Sequence, residues 1–345
     1  MSQAAARPLF NLATAVAAFL VLGWAPELLH LPLQLQFDAV LTVIYGFAIL
    51  SIVLLTGYVG QVSLCQATFV GIGAYTTAWA FNVFHLPYLL AMAAGVLAAA
   101  LVGVVIGVPA LRLRGIMLAI VTLGVALAFD RYFFLDRNFT WWTNGFAGWR
   151  VNGIAIGHVQ MDWLNHIPNV YRFALLLFLA VAVILVNIHD SGSGRRFRAI
   201  RDSELAAATM GVDLTRYKLI AFGLAAAIAG LGGALFPLAS GQVSAQPFNV
   251  FYSLQFAAIA VLMGVRYVPA AVAGGFFGAF VPTLLGDWHP WHLEIRYDWF
   301  QIALGALLVV QLMTAPDGVW GDMHRHWSEI KRRLAAREHA PEVAA

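Results

Sequence analysis

Uncharged apolar runs recur along almost the whole chain, and most approach the roughly 20 residues that a helix needs to cross a hydrocarbon layer of about 30 Å. No soluble core could bury them all. The chain is 61% hydrophobic and 11% charged, against the roughly 45–50% and about 25% of soluble domains. Lipid therefore has to replace part of the interior. The single cysteine, Cys65, lies in an apolar stretch, which excludes a disulfide framework or a cysteine-based metal site within one chain.

Reading the runs against their interruptions gives about ten spans, at 9–29, 36–56, 60–82, 88–108, 115–137, 170–188, 216–240, 251–267, 270–287 and 298–315. The expected fold is all-α, a polytopic membrane bundle with one broken or re-entrant segment. That segment is the third, interrupted by Gly57, Gly60, Gly71 and Gly73. Backbone freed from helical pairing must be buried in protein or line a water-filled cavity. The run from Leu9 follows Arg7 as in a signal peptide, but Trp24-Ala25-Pro26-Glu27 offers no clear small-residue cleavage site, so it reads as the first span.

On this span list the connections at Arg112 and Arg114, at 189–215 and at Arg266 share one side with both termini. Arg7, Arg195, Arg196, Arg198, Arg201, Arg216, Lys218, Arg325, Lys331, Arg332, Arg333 and Arg337 join them, so 15 of the 20 Lys and Arg lie together. The positive-inside rule makes that side cytoplasmic. The net charge of +3 is then topogenic and implies no nucleic-acid partner. The expected organisation is a transmembrane domain, 1–320, carrying a cytoplasmic loop at 189–215, and a cytoplasmic tail, 321–345. Lys331-Arg332-Arg333 in that tail suits anionic headgroups. The segment 138–169, rich in Trp, Asn and Gly, is the largest loop on the opposite face. No Walker A pattern occurs, so if ATP powers the protein another chain binds it.

The loop after the sixth span carries the most specific signal. Arg195, Arg198 and Arg201 recur at a spacing of three and share roughly one helical face. Asp202 or Ser203 can cap a helix N-terminus, Glu204 suits the positive end of its dipole, and Gly211 is a natural left-handed stop. Ala206, Ala207 and Ala208 give that surface helix a small face over which another protein can approach closely. A loop that only sets topology needs its charges, but not a capped helix with a small-residue face.

The run from Arg198 to Gly211 resembles the loop of the permease subunits of branched-chain amino acid ABC transporters, Arg-Ala-Ile-Arg-Asp-x-Glu-x-Ala-Ala-x-x-x-Gly. Thr215 to Leu219, Ala221-Phe222, Gly57 to Ser63 leading to Gly71 to Tyr75, and Leu111 to Gly115 with Ala119 to Gly124 are similar to the same family, in the same order. The resemblance covers roughly residues 40–320. It implies a permease in the cell inner membrane that pairs with a second permease, two ATPase subunits and an external substrate-binding protein. ATP and Mg would be bound by the ATPase, with no cofactor in this chain. It also implies that 195–211 docks on the ATPase, with Arg198, Arg201, Glu204, Ala207 and Gly211 as contact or shape residues. Two places depart from the pattern. Cys65-Gln66 stands where the family has Gly-His, and Met263 to Pro269 replaces a glycine-rich turn with a Gly-Ser pair. Family members are associated with branched-chain amino acids, urea or short amides, and some aromatic acids.

For the solute path, the broken third segment offers Gln61, Ser63, Gln66 and Thr68, with Thr122 beside them as a weaker candidate. The alternative is that these small polar residues hold helices together, with glycines permitting close packing. Thr143 to Gly148 resembles a family segment that could touch the binding protein, or is simply a turn. His289, His292 and Glu294 have the composition of a metal site, but between Trp288 and Trp291 they read better as an interfacial belt, so no metal is expected. The rival functions are a secondary transporter or passive channel and, behind it, a membrane enzyme. Ion coupling usually needs an ionisable residue inside the bundle, whereas Asp38, Asp130 and Arg131 stand near span ends. No carboxylate pair, nucleophile elbow or histidine cluster marks an enzyme.

Overall fold

The computed structural model describes residues 14–24, 27, 32–113, 115–151, 153–156, 159–161, 166–287, 297–314, 318–323 and 325–326. After a helical stretch at 14–22 come α1 (Leu33–Ile52), α2 (Gln66–Phe84), α3 (Tyr88–Ala110) and α4 (Ile116–Ala128). They are followed by α5 (Ile167–Asp190), α6 (Gly192–Asp202), α7 (Glu204–Thr209), α8 (Leu214–Ser240), α9 (Val250–Met263), α10 (Val268–Asp287) and α11 (Tyr297–Thr314). Both α1 and α4 widen at their C-terminal ends into π-helical turns, Val53–Tyr58 and Phe129–Phe134.

Among the described residues, six helices are long and apolar enough to span a membrane: Leu33–Tyr58, Tyr88–Pro109, Ile116–Phe134, Ile167–Asp190, Leu214–Ser240 and one beginning at Ile302. Two more, Val250–Met263 and Val268–Leu284, are apolar but shorter. The expected count of about ten apolar segments is loose: six of the described helices have the length and apolarity of a full span, and others are shorter or more polar. Glycines, threonines and Gln66 dilute α2, which lies at the centre of the bundle instead of against lipid.

Burial separates an inner group of helices from an outer one. The most apolar stretch of Leu33–Tyr58 is 78% buried and that of Leu214–Ser240 72%, against 22% for Ile116–Phe134. Lipid tails are as apolar as leucine, so small residues that let backbones approach decide which helices pack. A Cβ on Gly73 of α2 would stand 2.1 Å from the Gly230 oxygen of α8, and one on Gly275 of α10 would stand 2.1 Å from the Thr42 oxygen of α1.

The connections sort to two ends. One end gathers the turns at 111–115 and 264–267 and the helices α6 and α7. The other carries two small sheets, the antiparallel pair β1 (Trp149–Arg150) with β4 (Gln242–Val243) and the hairpin β2 (Ile154–Ile156) with β3 (Val159–Met161). Of the expected grouping, 189–215 and the turn at 266 meet at Gly57, which accepts from Arg201 and lies against the Val265 carbonyl.

Candidate coupling site

The stretch 192–209 is two short helices, not the single one expected. Ser191 caps the first, its Oγ accepting from the Gly194 amide at 3.4 Å. Ser203 breaks the run in extended backbone and caps the second, accepting from Ala206 at 3.3 Å. Of the two expected caps, Ser203 is the one used, because Asp202 is still inside α6. Gly211 takes the left-handed conformation expected of it, with φ at 79°.

Phe197 and Ile200 of α6 and Ala207 of α7 point into the protein and are almost fully buried. Ala207 can therefore shape α7 but not touch a partner. What α7 presents outward, besides Ala206 and Ala208, is a pair of large apolar side chains, Leu205 at 76% exposure and Met210 at 79%. They give α7 an apolar outer face.

The remaining family-matched side chains bind this platform to the bundle. The Lys218 ammonium of α8, 1% exposed, meets the Glu204 carboxylate at 2.8 Å. The same Glu204 oxygen accepts from Gln61 Nε2 at 3.3 Å. Arg201 donates to the Gly57 carbonyl at 2.9 Å, and Arg198 donates to the His189 carbonyl at 2.7 Å. So Arg198 and Arg201 turn back onto the chain, and Arg195 is the exposed member of the expected arginine stripe.

Glu204 and Arg201 thus hold the α1 side of the break between α1 and α2. Gly57 lies against the 264–267 turn so closely that a Cβ would stand 1.9 Å from the Val265 oxygen. Gly60 has φ at 76° under the Arg201 side chain, a backbone state that favours glycine. Residues 59–65 form no helix. At the far end of the break, Gln66 Oε1 accepts from Ser51 Oγ at 3.1 Å. Ser51 lies about 10 Å back along α1 from Tyr58 at 1.5 Å per residue. The third segment is therefore broken, non-helical for its first part and helical beyond Gln66.

The five path candidates are brought together around this break, and all are packed. Gln61, Ser63, Gln66, Thr68 and Thr122 are each at most 4% exposed. Thr122 Oγ1 accepts from the Leu64 amide and donates to the Ala119 carbonyl, both at 3.0 Å. Ser63 Oγ lies 3.2 Å from Cys65 Sγ. Gln61 Oε1 and Gln66 Nε2 are buried without a hydrogen-bond partner among the described residues. Three contributors carry no signal in the local sequence, namely Ser51, Lys218 in its pairing role, and Ser253, whose Oγ accepts from the Ala67 amide at 3.1 Å. Each comes from another helix, so only the tertiary fold reveals it.

The stretch Thr143 to Gly148 is a tight turn with Asn144 at φ 58°, closed by Asn144 Nδ2 donating to the Gly148 carbonyl at 2.8 Å. His289, His292, Glu294, Arg7, Arg114 and the tail from Lys331 lie outside the described residues.

The family described as "Branched-chain amino acid transport system / permease component" matches residues 35–312. The high-affinity branched-chain amino acid transport system permease proteins LivM of Salmonella typhimurium and of Escherichia coli K12 are each 28% identical over 321 residues, 88% of this chain and 73% of theirs. The probable branched-chain amino acid transport permease protein LivH of Methanocaldococcus jannaschii is 24% identical over 179 residues, 48% of this chain and 54% of its own. No solved structure matches the chain. A match that runs from the start of α1 nearly to the end of α11, together with an intact loop from Arg198 to Gly211, places this chain in the family of branched-chain amino acid transport permease components.

Proposed function

We propose that this chain is one of two permease subunits of an ATP-driven importer for branched-chain amino acids, and that α6 and α7 form the surface on which an ATPase subunit docks. The observation that carries this reading is the platform itself: Leu205 and Met210 project outward while the buried Glu204–Lys218 pair holds α7 to the bundle. The end bearing α6 and α7 is then cytoplasmic, both termini share that side, and the membrane is the inner membrane. ATP and Mg are bound by the ATPase. The opposite end receives solute from an external binding protein, for which the Thr143 to Gly148 turn is a candidate contact. A second permease, of the kind represented by the LivM and LivH relatives, completes the path.

Docking strain would reach the path through two links, Arg201 to Gly57 and Glu204 to Gln61, both of which end at the break carrying the polar path residues. The test is reconstitution. The chain with its partner permease, ATPase and binding protein should take up radiolabelled leucine with ATP inside proteoliposomes. ATP hydrolysis by the isolated chain, or gradient-driven uptake without an ATPase, would overturn the reading.

A further inference from the structure

We propose that the cavity at the end of the bundle opposite α6 and α7 binds the zwitterion of an α-amino acid with an apolar side chain, a proposal that rests on the amino-acid reading above. The cavity encloses about 440 Å3, within the range of roughly 300–1,000 Å3 usual for small-molecule sites. It lies between the π-helical end of α4 and the linker into α9. Asp130 and Arg131, adjacent in that π-helical turn, both line it together with Ser244, and Phe134, Leu135 and Phe251 supply apolar wall.

The two charges are held differently. Asp130 is 7% exposed, beside the start of α9. Arg131 is exposed, and among the described residues its guanidinium makes no hydrogen bond. A buried carboxylate beside a guanidinium with donors to spare suits a ligand carrying an ammonium and a carboxylate on one carbon. The ammonium goes to Asp130, the carboxylate to Arg131 in the two-pronged geometry that guanidinium favours, and the aliphatic side chain to the apolar wall. The larger cavity, about 760 Å3, is bounded by Val43, Leu175, Phe178 and Phe277 and offers no charged group. A zwitterion would lose its hydration there without compensation. The position opposite the docking helices also places the site on the entry side of an importer.

Asp130 is buried, so the variants must separate its charge from its packing. Asp130→Asn keeps the shape of the side chain and removes the charge. The membrane complex of both permeases and the ATPases, in proteoliposomes without the soluble binding protein, is assayed for equilibrium binding of radiolabelled L-leucine. The wild type should bind saturably. L-valine should compete, while isoamylamine and 4-methyl-2-oxopentanoate, each lacking one of the two charges, should compete about tenfold less well. Asp130→Asn and Arg131→Gln should each weaken leucine binding about tenfold, with Arg131→Lys intermediate. No leucine binding by the wild type, or unchanged binding in both charge-neutral variants, overturns the site. If leucine uptake with the binding protein present persists in that case, the amino-acid reading stands without the site. Absence of any amino-acid uptake by the complete wild-type system overturns both.

Discussion

Glu204 and Lys218 form a 2.8 Å ion pair at the junction of a surface helix and the first turns of α8, and Gln61 of the α1–α2 break shares the same carboxylate oxygen. One side chain thereby touches the candidate docking surface, the central helix α8 and the candidate path. Breaking a buried pair by removing one partner costs about 3–5 kcal/mol, because the remaining charge is left uncompensated. Glu204→Lys should therefore abolish both co-purification with the ATPase and ATP-driven uptake while membrane insertion persists. The exchange Glu204→Lys with Lys218→Glu should restore a measurable part of both. Unchanged ATPase pull-down in the single variant refutes the docking role.

Leu205 and Met210 project from α7, whereas Ala207 is buried beneath it. Truncating an exposed side chain leaves the subunit intact but removes apolar contact from an interface, so Leu205→Ala or Met210→Ala should weaken ATPase affinity by about 1–2 kcal/mol, roughly tenfold in Kd, with an unchanged melting temperature. Ala207→Trp should instead push α7 off the bundle, costing about 1–3 kcal/mol of overpacking. It should lower the melting temperature together with ATPase binding. Titration of the ATPase onto the reconstituted permease pair, alongside thermal melts, separates the two classes.

Gly57 and Gly124 should respond oppositely to the same substitution. A Cβ on Gly57 collides with the Val265 carbonyl, whereas one on Gly124 meets nothing within 4 Å. Gly57→Ala should destabilise the permease by about 1–3 kcal/mol through backbone displacement and reduce uptake several-fold. Gly124→Ala should leave the melting temperature within about 0.5 kcal/mol equivalent, as for substitutions away from packed features. Equal melting curves for the two variants would show that α1 does not press on the 264–267 turn.

Cys65, the chain's single cysteine, lies in the break and is fully buried. In the resting complex it should resist a membrane-permeant maleimide. If the break opens during transport, labelling should rise when ATP and substrate-loaded binding protein are supplied, and peptide mass spectrometry of this chain reads the result. Protection that never changes during turnover removes segment 59–65 from the moving path.

Periodicity, charge and local chemistry made much of this molecule legible beforehand. The broken third segment follows from Gly60, whose left-handed backbone lies just past the π-helical turn that contains Gly57, whereas Gly71 and Gly73, also expected to interrupt it, lie inside α2 and serve close packing. The left-handed stop at Gly211 and the cap at Ser203 are likewise local. The span count was less readable, since α2 is diluted by its threonines, glycines and Gln66 yet sits in the bundle's centre. Hydropathy registers lipid contact better than it registers burial among helices.

What the sequence determines by itself is the set of apolar helices, their grouping of basic residues, the family and the loop that ends at Gly211, since each depends on neighbours along the chain. What only the tertiary structure decides is which way the side chains of that loop face and whom they meet. Arg198 and Arg201 turn back to the carbonyls of His189 and Gly57, Ala207 goes inward, and Glu204 finds Lys218 and Gln61. The physical reason is distance: Gln61 and Glu204 are separated by 143 positions. A buried charge is satisfied by whichever partner the packed helices bring within about 3 Å, and local sequence carries no record of that partner.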